Sequence, residues 1–301
     1  MTRIDSDVPL GPVGERWLKT RPAFDRGGLR IAAARALVVV VLSMFAVAAL
    51  YPLIFTIFSS FKSSGEFAQN PMGLPASLSL TNYLEIFERM QVGRLLFNSM
   101  ISTLGAMILT TVSALFVAYV VTKMNFPGRN LIFLFVISML VIPSQAIIFP
   151  LHQTILDIGL GGSYPGLILS LAAFGLPLGT YILAAYFRSV PIELLEAARM
   201  DGAGHLRILF SVLLPVSIPA LAALSILNFV WMWNDLLLPL VIMGGTEKTT
   251  LMVGVALLSG QYDISIPLIS SGLIIALLPV VIIYLLLQRQ IMSGAIAGSV
   301  K

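Results

Sequence analysis

The sequence predicts an all-α membrane protein of about six transmembrane helices, with one short polar helix held on the cytoplasmic side between two of them. Composition is the first reason: 58% of the 301 residues are hydrophobic and only 11% are charged, with a mean hydropathy of +0.97. A chain of that length cannot hide so much apolar surface in a water-soluble core, so lipid is its solvent. The second reason is a set of apolar runs near 36–58, 95–121, 131–150, 165–186, 216–241 and 267–287, each close to the roughly 20 helical residues that cross a hydrocarbon layer. The third is a polar island, Glu196-Ala197-Ala198-Arg199-Met200-Asp201-Gly202-Ala203, between the fourth and fifth runs.

The first run contains Ala46-Val47-Ala48, which resembles a signal-peptide cleavage site. The apolar stretch continues to Phe58, longer than the usual h-region of about 7 to 15 residues, so the span is expected to be retained. Residues 59–94 form the longest outer loop, with Pro71, Pro75 and a short helix over Asn82–Phe87 that Thr81 would cap. In the third and fourth runs Pro143, Pro150 and Pro177 intervene, and a broken or re-entrant helix would read the same way as a straight one. Pro143 should free the Met139 carbonyl, leaving Ser144 or Gln145 to satisfy polar groups near the break. A hinge there and a Gln145 that merely joins neighbouring helices both fit. Gly175 and Gly179 permit close helix packing, while Pro177 between them allows a simple kink, and Thr180 and Tyr181 are placed to face a pore.

Asp235 is the only acidic residue inside a predicted span, near the outer end of the fifth, beside Trp231, Trp233 and Asn234. A path or gate for solute and an interfacial aromatic belt with a snorkelling carboxylate fit equally. The loop from Gly244 to Pro267 returns the chain to the sixth run. Beyond it, Ser293-Gly294-Ala295-Ile296-Ala297-Gly298-Ser299-Val300-Lys301 is too rich in Gly and Ser for a stable isolated helix.

Within the polar island Pro191 suits a first helical turn and Gly202 a left-handed stop. Leu194, Ala197, Ala198 and Asp201 then share one face, and Glu193, Glu196 and Met200 another. Such a helix fits docking into a cleft of a soluble partner, or serves as a solvated linker. Basic residues set its side. Arg3, Arg16, Lys19, Arg21, Arg26, Arg30 and Arg35 precede the first run, Lys123 and Arg129 follow the second, Arg188, Arg199 and Arg207 the fourth, and Arg289 and Lys301 the sixth. Lys62, Arg89, Arg94 and Lys248 fall on the opposite side, so the positive-inside rule puts both termini and the polar island in the cytoplasm. The net charge of +4 follows from this asymmetry and gives no reason to invoke nucleic acid.

Glu196-Ala197-Ala198, Gly202 after three residues, then Val212-Leu213-Leu214-Pro215 after nine more, resembles the EAA loop of the permease subunits of ABC importers, with Val212 where that family has Ile. Phe187-Arg188-Ser189-Val190-Pro191 before it and Trp233-Asn234-Asp235-Leu236-Leu237 after it are similar to the carbohydrate-uptake branch, in particular its maltose-type second permease. The resemblance runs from about Ala36 to the C-terminus. It implies a cytoplasmic segment 1–35, a transmembrane permease domain 36–290 with a coupling loop 187–215, and a cytoplasmic tail 291–301. It further implies that Glu196, Ala197, Ala198, Asp201, Gly202 and Pro215 couple to an ATPase dimer. Gln145, Tyr181, Trp233, Asn234 and Asp235 would belong to the translocation path or gate. Ser293, Gly294, Gly298 and Lys301 would reach the interface between the ATPase subunits. The implied partners are a second, related permease and a soluble or lipid-anchored substrate-binding protein that lands on the outer loops. The implied setting is a bacterial inner or cell membrane, and the implied cargo is a sugar moved by alternating access.

Nothing in the chain argues for an enzyme, a cofactor or a metal. There is no G-x-x-x-x-G-K-[ST] and no H-E-x-x-H, and the two histidines, His152 and His205, fall on opposite sides of the membrane. His205 reads as a solvated loop residue. With no cysteine, disulfides and thiolate metal sites are excluded. ATP hydrolysis is therefore expected in partner subunits. An ATP-independent secondary transporter is the other class, and it normally needs ionisable groups at mid-membrane, where only an off-centre Asp235 qualifies. Cargo other than sugar stays open, since selectivity can reside in the partners.

Overall fold

The computed structural model describes residues 26–261 and 265–299, with side chains over 34–258 and 265–288. Residues 1–25 of the expected N-terminal segment, and Lys301 of the tail, lie outside the described residues. Two compact units are present, Met1–Phe55 and Thr56–Lys301. The first consists, among its described residues, of helix α1, Arg26–Ser60, which continues a few residues into the second and begins before the expected 36. Its run from Leu37 to Ile54 is apolar all round, as suits a helix solvated by lipid.

In the second unit, residues 59–94 are more ordered than a loop. Helix α2, Ser64–Gln69, and helix α3, Thr81–Arg89, are folded onto the rest by buried polar bonds. The Lys62 ammonium is buried and donates to the carbonyls of Asn70 (2.8 Å) and Pro71 (3.2 Å). Asn82 Nδ2 donates to the carbonyls of Ser60 and Lys62, both at 2.8 Å. Thr81 does not cap α3: it is the first helical residue, Leu80 holds the cap position, and the Thr81 hydroxyl pairs with Ser79 Oγ at 2.7 Å.

Two long helices form the frame, α4, Val92–Lys123, and a later one, Tyr164–Ser189. Between them lie α5, Arg129–Ser138, and α6, Ser144–Asp157, so the later helix is α7. The α4 and α7 helices run parallel. Tyr164 Oη donates to Asn98 Oδ1 at one end (2.6 Å), Gly105 faces Ile168, Gly175 faces Thr110, and Gly179 faces Ala114. A Cβ on Gly179 would stand 2.9 Å from that of Ala114, so the glycines serve close packing, and Pro177 is accommodated in a continuous helix. Because α4 and α7 are parallel, the chain between them must recross. It does so in two pieces bent by 106° at Ile142-Pro143. At 1.5 Å per residue each piece is only about 20 Å long, short of the roughly 30 Å hydrocarbon layer. The Met139 carbonyl expected to be freed is taken by the Ile142 N–H at 3.2 Å, within a 3₁₀ turn over Met139–Val141.

The fifth run is not one helix over 216–241. A bend of 79° at Ser217 separates a segment over His205–Val216 from α9, Ile218–Asn234, once the polar helix Ile192–Met200 is counted as α8. Pro215 and Pro219 flank the bend, and each lacks the N–H and clashes with the carbonyl four residues back in a continuous helix. The chain stops again at Asp235, and α10, Leu237–Met243, follows. Leu224 against Gly179 and Met232 against Gly175 make α9 antiparallel to α7. The expected loop 244–267 is largely a helix, α11, Leu251–Gln261, whose Leu251, Val253, Val255 and Leu258 are buried; an apolar Leu-Met-Val-Gly-Val-Ala-Leu-Leu segment finds its partners in α4 and the last helix. That helix, α12, Ile266–Ser299, runs through the Gly- and Ser-rich tail instead of ending before it. Extending an established helix avoids the nucleation cost that an isolated segment would meet.

Replacing Gly179 by Val should force α4 and α7 apart and cost about 1 to 3 kcal/mol. Gly65→Ala, where no atom lies within 4 Å, should be neutral. Thermal unfolding of the two variants in detergent, followed by circular dichroism, compares them.

Candidate functional site

Helix α8 lies where the C-terminal ends of α4 and α7 meet. Pro191 is its N-cap, one position earlier than the first turn, with φ −55° and ψ 139°. At the other end Gly202 takes φ +77°, its N–H bonded to the Arg199 carbonyl (2.9 Å) while the Ala203 N–H reaches the Ala198 carbonyl (3.0 Å). That pair of bonds is a Schellman stop, which a side chain at position 202 would strain. The packed face centres on a residue that belongs to neither group drawn from the spacing. Leu195, 1% exposed, is the anchor, in one cluster with Phe187, Val190, Ile208 and Leu209, and Ala198 packs against that cluster, whereas Leu194, Ala197 and Asp201 are exposed. Leu195 and Ala198, three residues apart, share this face, a spacing that could have located it. The free side then carries Glu193, Glu196, Ala197 and Met200, the last 88% exposed.

Three contacts hold this end of the bundle together. Lys123 Nζ, at the end of α4, donates to the Val190 carbonyl at 3.1 Å. The Arg188 guanidinium sits 4.5 Å above the Phe133 ring of α5. His205, instead of being merely solvated, pairs its Nδ1 with the hydroxyl of Tyr119 on α4 at 2.7 Å, the rings edge to face at 5.9 Å. Downstream, Ile208–Leu213 widens into a π-type turn before Pro215, and the Ser217 N–H is shared by the Leu213 and Leu214 carbonyls (3.0 and 3.1 Å). Pro215 belongs to the bend that leads into α9.

At the far end of α9 a cleft of about 580 Å³ opens. Ser144 and Gln145, from the first turn of α6, meet Trp231, Asn234 and Asp235, with Leu227, Val230, Leu236 and Leu237 completing the wall. The Asp235 carboxylate accepts the Leu238 N–H at 3.1 Å, which starts α10, and Asn234 Nδ2 donates to the Val230 carbonyl at 2.7 Å. Gln145, Asn234 and Asp235 are therefore brought together across two helix breaks. Trp233 is not among them: it is 2% exposed, stacked on Phe229 at 5.4 Å, with its indole N–H on the Ala276 carbonyl of α12 at 2.9 Å. Trp231 lines the cleft in its place, since two positions apart on a helix is a turn of about 200° and only one of the pair can face the opening. Tyr181 is exposed on α7 but does not line this cleft, and Thr180 is buried. On the connector between α1 and α4, Leu74, Leu78, Leu80, Leu84 and Phe87 are exposed apolar groups. Of the tail residues, Ser293, Gly294 and Gly298 have backbone in α12.

This architecture is that of a multi-pass permease subunit. The chain belongs to the family of binding-protein-dependent transport system inner membrane components, whose model matches residues 110–294. It is 34% identical over 262 residues to the diacetylchitobiose uptake system permease protein of Streptomyces coelicolor, covering 86% of this chain and 87% of that one. It is 36% identical over 223 residues to the osmoprotective compounds uptake permease protein of Synechocystis, covering 74% and 75%. Among solved structures, a bacterial ABC transporter involved in the import of the acidic polysaccharide alginate aligns with a TM-score of 0.73 at 25% identity, over 89% of this chain and 99% of that one.

Tyr119→Phe removes one hydrogen bond worth about 1 kcal/mol and nothing else. Amide exchange across 192–205 should accelerate about fivefold while the rest of the bundle is unchanged, a comparison that hydrogen–deuterium exchange mass spectrometry makes directly.

Proposed function

We propose that this chain is one of two permease halves of a sugar or oligosaccharide importer, powered by ATP hydrolysis in partner subunits. The observation that carries this reading is the α8 surface: a short helix fixed from beneath by Leu195, free on its Glu193, Glu196 and Met200 side, and connected through a proline bend to the helix that builds the cleft. A push on α8 has a continuous route along the chain, through the bend at Ser217, to Asn234 and Asp235. That geometry supports a lever for an ATPase dimer in which Glu196, Ala197 and Met200 meet the partner, Ala198 seats the helix, and Asp201 and Gly202 end it. Pro215 keeps the bend. The names of relatives that take up diacetylchitobiose, trehalose and arabino-oligosaccharides support carbohydrate cargo.

The distribution of Lys and Arg supports a cytoplasmic α8 and cytoplasmic termini, with 1–35 and 291–301 flanking a permease domain 36–290. The exposed apolar face of the outer connector, from Leu74 to Phe87, suits a substrate-binding protein. Solute would meet Gln145, Asn234 and Asp235 on its way through, with a second, related permease closing the other wall. The end of α12, with Ser293, Gly294, Gly298 and Lys301, would reach the ATPase subunits.

Uptake by the reconstituted importer should require ATP. Glu196→Ala and Gly202→Val should each lower binding-protein-stimulated ATP hydrolysis and transport together, by about 5- to 150-fold, the range of ordinary coupling energies. Transport and co-purification of an ATPase that survive both changes, or uptake that persists without ATP, would refute the reading.

A further inference from the structure

The cleft has a charge pattern that bears on its cargo, an inference that rests on the importer reading above. Its polar lining is Ser144, Gln145, Asn234 and Asp235, and among the described residues no Lys, Arg or His lines it. Its flat apolar element is the Trp231 ring, 39% exposed and braced edge-on by Phe174 at 6.4 Å between centroids. The Asp235 carboxylate faces the Leu238 and Leu237 N–H groups, and its two oxygens, with about four acceptor sites, keep capacity for a ligand hydroxyl. Asn234 spends one amide hydrogen on Val230, which leaves a donor and an acceptor.

A pyranose matches such a surface. Its C–H face stacks on an indole, its hydroxyls donate to a carboxylate, and its oxygens accept from amides. A uronate adds a carboxylate of its own. In this cleft, that group meets Asp235 with no side-chain cation of this chain to offset it. The first turn of α6 supplies about half a positive charge, less than the full negative charge it would have to cancel.

We propose that this cleft is a subsite for neutral glycosides, in which Trp231 is the stacking platform and Asp235 excludes uronates. The cargo then differs in charge from the acidic polysaccharide that the alginate transporter imports.

The test is equilibrium binding of labelled sugars to the assembled importer in detergent without its binding protein, so that no other component filters the ligand first. Maltotriose, cellotriose and diacetylchitobiose are compared with trimannuronate and trigalacturonate. At least one neutral sugar should bind about tenfold more tightly than either uronate. Asp235→Asn should shrink that ratio below about threefold by strengthening uronate binding. Asn keeps the oxygen that starts α10, so the change is in charge and not in the helix cap. Trp231→Ala should weaken the neutral sugar by about tenfold while the complex still assembles. Uronate binding as tight as neutral binding, a ratio unmoved by Asp235→Asn, or no binding of either class would overturn the inference. ATP-dependent uptake that favours uronates would sink it while leaving the importer reading intact, whereas ATP-independent uptake would remove both.

Discussion

The parallel contact of α4 and α7 is what the rest of the second unit depends on. Lipid tails are as apolar as leucine, so helices in a membrane gain little from hiding apolar surface against one another and associate through close dispersion contact. Gly105, Gly175 and Gly179 permit that approach, and the Tyr164–Asn98 hydrogen bond sets the register at one end. Two consequences follow from the helices being parallel. The chain between them has to recross the bilayer, which α5 and α6 do, and the C-terminal ends of α4 and α7 come together to form the bed in which Leu195 seats α8. A rigid pair with a helix bound across its ends transmits force better than the same helix on a loose tether would.

The prolines determine where that rigidity stops. At Ile142-Pro143 and at Pro215-Val216-Ser217-Ile218-Pro219 the chain turns sharply, and each break satisfies its backbone locally, Met139 through Ile142 and Leu213 and Leu214 through Ser217. Exposed peptide groups inside a bilayer are costly, so irregular backbone persists only where such bonds form or where it lines a cavity. The cleft shows the second case. Ser144 and Gln145 lie just past one break and Asn234 and Asp235 at another, so the polar groups that line the cleft sit where the helices are discontinuous.

Much of this was legible from composition and local chemistry. The apolar runs, the polar helix and its Gly202 stop follow from residue type and spacing, while Gly175 and Gly179 read equally as a packing face or a kink until α4 is placed against them. Packing decided the rest. Trp231 and Trp233 are chemically alike, and which of them faces the cleft depends on where α12 docks. Leu195 anchors α8 while its neighbour Leu194 is exposed, a matter of about 100° of helix rotation. The segment 251–261 looked like loop because it falls between outer positions, yet it is core, because α4 and α12 offer it an apolar surface to bury against.

The sequence alone determined that this chain lives in a membrane, that it is interrupted near Pro143 and that a polar helix stops at Gly202, because hydropathy and the backbone demands of proline and glycine act locally and need no neighbour. The tertiary structure decided which side chains share a site. Helices that are apolar all round have no face marked for the interior, so the partners of Trp233, the His205–Tyr119 pair and the meeting of Gln145 with Asp235 exist only once the helices have docked.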